Sequence, residues 1–354
     1  MSYEIRILNK HELNLANQLY AKVYGKTRSM NDFTWEFLEG PVDKAIYVGA
    51  FDGTRLIGTQ AAIPLYFVDK DGNRILTAKS EDTLLDPEYR GKGLFDKMYA
   101  VLFEECAKAG IVSVWGFTYA KKPFVKLGFE IPFETNNAIM VFNPIGSFKY
   151  LISLNPQNKL KEKAKILGLV ILSYLKRLLF KSEKISGFRI LTSEVIENLL
   201  PLEITALASY DAQSLMMNTD YLNWRLSKNP YKNQYMEACL LDDKNDILAS
   251  VIYNLRPKGV AYIEQILMVD NLNNQDRSAL INKVLSELKL KGVNLVRFWG
   301  MQGSKVNLKE IELLEGNGFV FSGRGTAFVY KRLHDQAVDS HNLLVSRLFT
   351  QGNL

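Results

Sequence analysis

The sequence predicts an α/β fold in two copies, each a mixed sheet with helices on its faces. Three observations carry that expectation. The two halves of the chain repeat one order of hydrophobic patterns, each contains a pair of strand-like runs joined by a tight polar turn, and a basic segment separates them. With 354 residues, 47% of them hydrophobic, the chain has material for two ordinary cores.

The elements follow in order. MSYEIRILNKHELN alternates like an edge strand and lacks an apolar signal core, so no export is expected and a cytoplasmic location is. TWEFLEGPVDK (Thr34 to Lys44) reads as an aromatic helix end and a Pro-marked turn, and NWRLSKNPYKN (Asn223 to Asn233) repeats it. AIYVGAFDGTRLIGTQAAI (Ala45 to Ile63) reads as two strands about an Asp-Gly turn, matched by YMEACLLDDKNDILASVIY (Tyr235 to Tyr253). VSVWGF, ending at Phe117, matches VRFWGM, ending at Met301, and each follows a helix-closing glycine, Gly110 or Gly292. KLGFE (Lys126 to Glu130) matches GNGFVF (Gly316 to Phe321). The expected division is a first domain over 1–145, a connecting segment over 146–187, a second domain over 188–333 and a C-terminal tail over 334–354.

Charge is localised. Between Gly146 and Gly187 nine Lys or Arg face two acids, a surplus of seven against a net charge of +6 for the whole chain, so the remainder is near neutral. A nucleic-acid partner is therefore not expected. The same segment contains ILGLVILSYL (Ile166 to Leu175), too short to span a bilayer, which leaves a helix packed on a domain or one lying at a membrane surface. Peripheral membrane contact through 160–181 stays open. Cys106 and Cys239 lie in apolar runs without ligand spacing, and His11, His334 and His341 are scattered near the ends, so neither a metal site nor a His-dependent triad is expected.

The halves differ at one place. DPEYRGKGLFDKM (Asp86 to Met98) puts two glycines and three basic residues where a strand hands over to a helix bearing Leu94, Met98, Leu102 and Cys106 on one face. A helix start offers unpaired N–H groups and a positive dipole end to an anion. The second half has DNLNNQDRSA (Asp270 to Ala279) instead, without glycine and with one cation. One half is expected to bind and the other to support it.

From about Trp35 to Glu130 the chain resembles the GCN5-related N-acetyltransferase (GNAT) superfamily, whose cofactor motif reads Arg or Gln, two residues, Gly, one residue, Gly or Ala. Arg90 and Gly93 fit that frame, while Phe95 replaces the small last residue. The wording YRGKGLF is similar to a subgroup with two tandem copies of the fold, the second degenerate. The resemblance implies mostly antiparallel sheets and acetyl-CoA as co-substrate. Its pyrophosphate would be cradled by the amides of Gly91, Lys92, Gly93, Leu94 and Phe95, with Arg90 and Lys92 adding charge, and its pantetheine arm would pair with the strand at Leu84 and Leu85. The implied reaction is acetyl transfer to a primary amine of a small metabolite or amino sugar. Two other classes share features with it: a non-catalytic acyl-CoA-binding or scaffold protein, and a peptidoglycan-bridge-type aminoacyltransferase, against which the loop wording argues.

Such a transfer needs a base for the ammonium form of the amine, donors for the oxyanion and an acid for the thiolate. Glu81 and Asp82 are both candidates for the base, and strand alternation allows only one of them to face a given side. The position at which many members of the family carry an acidic tyrosine is Phe124, which has no proton to give, and Tyr119 is the candidate substitute. Trp35, Phe37, Trp224 and Arg225 read as packing residues at a domain junction, and Glu39 and Asp43 as carboxylates able to attract a cationic amine.

Overall fold

A computed structural model of the chain describes residues 3–179, 189–193, 198–231, 233–301 and 305–350. The first unit runs β1 (Glu4–Ile7), α1 (Leu13–Tyr24), α2 (Met30–Phe37), β2 (Ile46–Asp52), β3 (Arg55–Asp69), β4 (Arg74–Leu85), α3 (Leu94–Lys108), β5 (Ser113–Thr118), α4 (Lys121–Lys126) and β6 (Glu130–Val141). Helices α5 (Pro144–Ser153) and α6 (Leu160–Leu179) follow. The second unit runs β7 (Arg189–Ser193), α7 (Leu200–Ala208), β8 (Gln213–Leu215), α8 (Thr219–Leu222), β9 (Gln234–Leu241), β10 (Ile247–Arg256), β11 (Val260–Met268), α9 (Asn274–Leu290), β12 (Leu295–Met301), α10 (Lys305–Gly316), β13 (Val320–Arg332) and β14 (Leu343–Leu344).

Local chemistry explains the boundaries. Ser29 caps α2 by accepting from the amide of Asp32, whose carboxylate accepts from Ser29 in return. Asn273 caps α9 in the same way, accepting from the amide of Asp276 at 2.8 Å. The β2–β3 and β9–β10 pairs are antiparallel hairpins, as the repeated patterns predict.

The strands form a single sheet in the order β1-β2-β3-β4-β5-β13-β6-β12-β11-β10-β9-β7, with β8 on β3 and β14 on β8. Each half lends one strand to the other. β13 pairs with β5 over Ala327–Arg332, and β6 pairs with β12 over Thr135–Val141. The exchange gives each edge a partner that its own half does not supply.

At the junction the repeated tryptophans meet each other. The indole N–H of Trp35 donates to the Trp224 carbonyl at 2.8 Å, that of Trp224 donates to the Trp35 carbonyl at 2.9 Å, and the rings stack with centroids 5.1 Å apart. This reciprocal pair marks a local two-fold relation between halves. Both are packing residues, as are the buried Phe37 and Arg225.

The C-terminal segment is built into the core. Leu343, Leu344, Val345, Leu348 and Phe349 are buried, and the Phe349 ring lies 5.3 Å from that of Trp115 and 5.7 Å from that of Phe67. Arg225 donates to the carbonyls of Leu348 and Thr350, and Tyr221 to that of Leu348.

Candidate active site

Two parallel strands part at the centre of the first half. β4 and β5 pair only at Ala78–Val114 and Lys79–Trp115, so beyond Lys79 the flank of β4 toward β5 has no strand partner. Just past that point β4 carries an extra residue. Ala61 pairs with Glu81 and Thr59 with Leu84, which leaves Asp82 and Thr83 opposite Gln60, and Asp82 adopts a left-handed φ of 51°. Such a conformation costs a non-glycine residue about 1–3 kcal/mol and needs surrounding bonds to hold it. Gln60 supplies them, donating to Ser80 Oγ at 2.9 Å and to the Glu81 carbonyl at 3.2 Å, and accepting from Thr83 Oγ1 at 2.5 Å. Thr59 donates to the Asp82 carbonyl at 3.0 Å, and the buried Tyr99 hydroxyl meets Ser80 Oγ at 2.7 Å.

The bulge changes the expected division of roles. Strand alternation would put Glu81 and Asp82 on opposite sides, but the inserted residue cancels the alternation, and both carboxylates act on the same neighbour, Glu36. Asp82 is fully engaged: Arg28 grips it with two bonds of 3.1 and 2.8 Å, and Tyr47 donates its hydroxyl to it. Burial and the Asp82 charge hold the Tyr47 phenol far above its ordinary value, so it stays a donor. Glu81 is half-buried and takes a 2.9 Å bond from the ammonium of Lys79, itself buried.

Glu36, on α2, is the residue that the sequence reading did not single out. It is buried, its nearest cation is Arg28 Nη1 at 3.9 Å, and its carboxyl is pushed up to about 8. Burial is the main cause, then the charges of Glu81 and Asp82, with Lys79 and Arg28 opposing. The available signal was its setting: a carboxylate between Trp35 and Phe37, in a motif whose second copy has Arg225 after Trp224. Glu39 and Asp43, the acids noted there, are exposed.

The glycine turn lies at the end of the same strand. Leu84 is buried and Leu85 half-buried, paired with Thr59 and Gly58 of β3. Asp86 accepts from the amide of Glu88 and holds Lys22 and Arg55 at 2.8 and 2.7 Å, which fixes the entry to the turn. Arg90, Gly91, Lys92 and Gly93 are exposed. Gly91 and Gly93 have φ of 78° and 72°, and a Cβ at either would meet nothing within 4 Å. Glycine is thus required for the left-handed backbone, and the space before the amides is open. Lys92 Nζ lies 4.4 Å above the Tyr89 ring, Leu94 is buried, and Phe95 packs on Tyr99 and Phe124. Open amides at a helix start, cations at the rim and an unpaired strand flank fit a pyrophosphate with an extended amide arm.

The two phenyl-ring positions in question are far from equivalent. Phe124 is buried among Phe95, Tyr99 and Phe129, whereas Tyr119, in the loop after β5, is three-quarters exposed.

The second half fills the corresponding strand divergence with side chains, while a cavity of about 410 Å³ lined by Asp270, Asn274, Arg277 and Lys309 lies at the start of α9. β11 and β12 also part after Tyr262 and Arg297. There Glu264 pairs with Arg347, both buried, and the Arg347 guanidinium lies 4.1 Å above the Tyr262 ring. Near the start of α9 stands the Asp270 carboxylate, bonded to Lys309 and Tyr210.

Comparison with known proteins bears on this geometry. Residues 4–131 match the family described as acetyltransferase (GNAT) domain. Among solved structures, a conserved protein of Enterococcus faecalis V583, described as a probable N-acyltransferase, superposes with a TM-score of 0.66 at 14% identity, covering 95% of this chain and 74% of that one. A GCN5-related N-acetyltransferase from Anabaena variabilis gives 0.60 at 12% identity, over 94% and 73%. A tandem GNAT protein from the clavulanic acid biosynthesis pathway gives 0.56 at 12% identity, over 95% of this chain and all of that one (100%). At these identities the likeness establishes the fold. No curated protein matches the chain.

Proposed function

We propose, from the match of residues 4–131 to the acetyltransferase (GNAT) domain family, that the protein moves an acetyl group from acetyl-CoA to the primary amine of a small metabolite or amino sugar. One observation carries the reading: the open, left-handed glycine turn at the start of α3, beside the divergence of β4 from β5, whose counterpart in the second half is filled by Arg347 and Glu264.

The amides of Gly91 to Phe95 would hold the pyrophosphate, with Arg90 and Lys92 at the rim, and the free flank of β4 through Leu84 and Leu85 would align the pantetheine arm. Acetyl-CoA supplies the acyl group as a thioester. Glu81, held by Lys79, seats the ammonium form of the acceptor, and Glu36 in its ionised form takes a proton from the nitrogen. Asp82 acts through Arg28 and Tyr47, fixing the wall against which Glu36 sits. The amine then forms the C–N bond as the C–S bond breaks, Tyr119 gives its proton to the leaving sulfur from the exposed loop after β5, and the second proton lost by the nitrogen passes through water to restore the Tyr119 phenol.

Transfer of isotope label from acetyl-CoA across a panel of amines, together with calorimetry of acetyl-CoA binding, tests the reading. Binding with label transfer is expected, and Gly93→Asp is expected to abolish binding, since Asp tolerates a left-handed φ yet sets a negative charge in the cradle. Binding without turnover on any amine would favour an acyl-CoA-binding scaffold. No binding, or unchanged affinity in Gly93→Asp, would remove this turn from the function.

A further inference from the structure

Helix α6 has two apolar faces. The inner one buries Val170 and Ser173 against the sheet, where Ser173 Oγ accepts from the Val141 amide at 3.1 Å and donates to the Ile139 carbonyl at 3.2 Å. Lys176 donates to the Phe319 carbonyl, and Arg177 lies 5.3 Å above the Phe142 ring. The helix is therefore anchored, and its outer face is not awaiting the chain's own core.

That outer face carries Leu167, Ile171, Leu172, Leu175, Leu178 and Leu179, exposed by 44% to 84%. At 3.6 residues per turn they fall within roughly 140° of the circumference. Lone surface leucines need no explanation, but a contiguous apolar stripe marks a contact. Lys161, Lys163 and Lys165 stand in the helix turns that lead into the stripe, and across 144–179 the only acid is Glu162.

We infer that α6 docks the protein on an anionic lipid surface, its leucine stripe entering the boundary between headgroups and acyl chains while the flanking lysines meet lipid phosphates. Charge complementarity selects this occupant. A second copy packed stripe against stripe brings Glu162 as its only acid within 144–179 to answer Lys161, Lys163 and Lys165, whereas an anionic leaflet answers all of them. Among the described residues no helix is long and apolar enough to cross a membrane, and α6 needs only to lie on one.

The test uses the full chain and sedimentation with vesicles of phosphatidylcholine alone or containing about 30% phosphatidylglycerol. Wild-type protein is expected to pellet with the anionic vesicles, roughly tenfold better than with neutral ones, and to lose that preference in high salt. Ile171→Asn with Leu175→Asn, and separately Lys161→Glu with Lys165→Glu, should each weaken binding by roughly tenfold or more. All four positions face solvent, so an unchanged thermal midpoint shows that the variants fold. Failure of the wild type to bind anionic vesicles overturns the inference. So does light scattering that finds a dimer converted to monomer by the asparagine pair without any vesicle binding. Neither result depends on acetyl transfer, so the docking reading can fail while the catalytic one stands.

Discussion

At the residue scale Glu36 combines burial with two neighbouring carboxylates, Glu81 and Asp82. A carboxyl held near 8 is mostly protonated at neutral pH, and the ionised fraction that accepts a proton grows through that value. The rate is therefore expected to rise with pH through about 8, and Glu36→Gln to lower kcat by about 10²–10⁴-fold while flattening that limb and leaving acetyl-CoA affinity unchanged. Stability carries the opposite sign. Because the folded carboxyl lies above the ordinary carboxylate value, its contribution is complete in acid below that value and is lost as pH rises through about 8. The wild type should lose thermal midpoint relative to Glu36→Gln between pH 5 and 8.5. A variant with normal kinetics but altered stability would make Glu36 a structural residue only.

At the scale of elements the bulge in β4 is the device that turns Asp82 onto the side where Glu81 and Glu36 lie. Gln60 holds it, and Gln60→Leu would remove its bonds to Ser80 Oγ, the Glu81 carbonyl and Thr83 Oγ1, at a cost of about 1–3 kcal/mol for each group left unsatisfied, while Ser80 Oγ keeps its partner in Tyr99. The expected outcome is a lower unfolding free energy in urea and a raised KM for the amine, with acetyl-CoA binding less affected because the glycine turn has its own supports in Asp86, Lys22 and Arg55. An unchanged amine KM would mean that the bulge does not shape the acceptor site. The glycine turn was legible in the sequence because its chemistry is local: Gly91 and Gly93 can take a left-handed φ without a steric cost from a Cβ. LTAKSEDTLL reads as a strand just as plainly, but its extra residue depends on the register against β3, which no periodicity within β4 records. Glu36 was illegible for a similar reason. Its burial and its proton affinity come from Arg28, Lys79, Glu81 and Asp82, which the fold gathers from two other segments.

At the scale of the whole molecule the repeat is more than two domains in a row, since β13 fills the slot beside β5 and β6 the slot beside β12. The arrangement is that of a two-fold dimer joined into one chain, with Trp35 and Trp224 reciprocally bonded near the axis. This makes a prediction about the first half alone. Residues 1–187 retain the glycine turn and the carboxylate wall but leave β5 bare and β6 unflanked. Two copies can answer both defects at once, because β6 of each can enter the slot beside β5 of the other, giving the order β5-β6-β6-β5 with a Trp35 pair at the centre. Light scattering is expected to show a dimer that binds acetyl-CoA. It should be less stable than the full chain, because Phe67 and Trp115 lose the cover of Phe349, and loss of one buried phenylalanine costs about 3–5 kcal/mol. A monomeric fragment of full stability would show that the exchanged strands are not needed to complete the sheet, and the second half would then have to be retained for something other than closing the first.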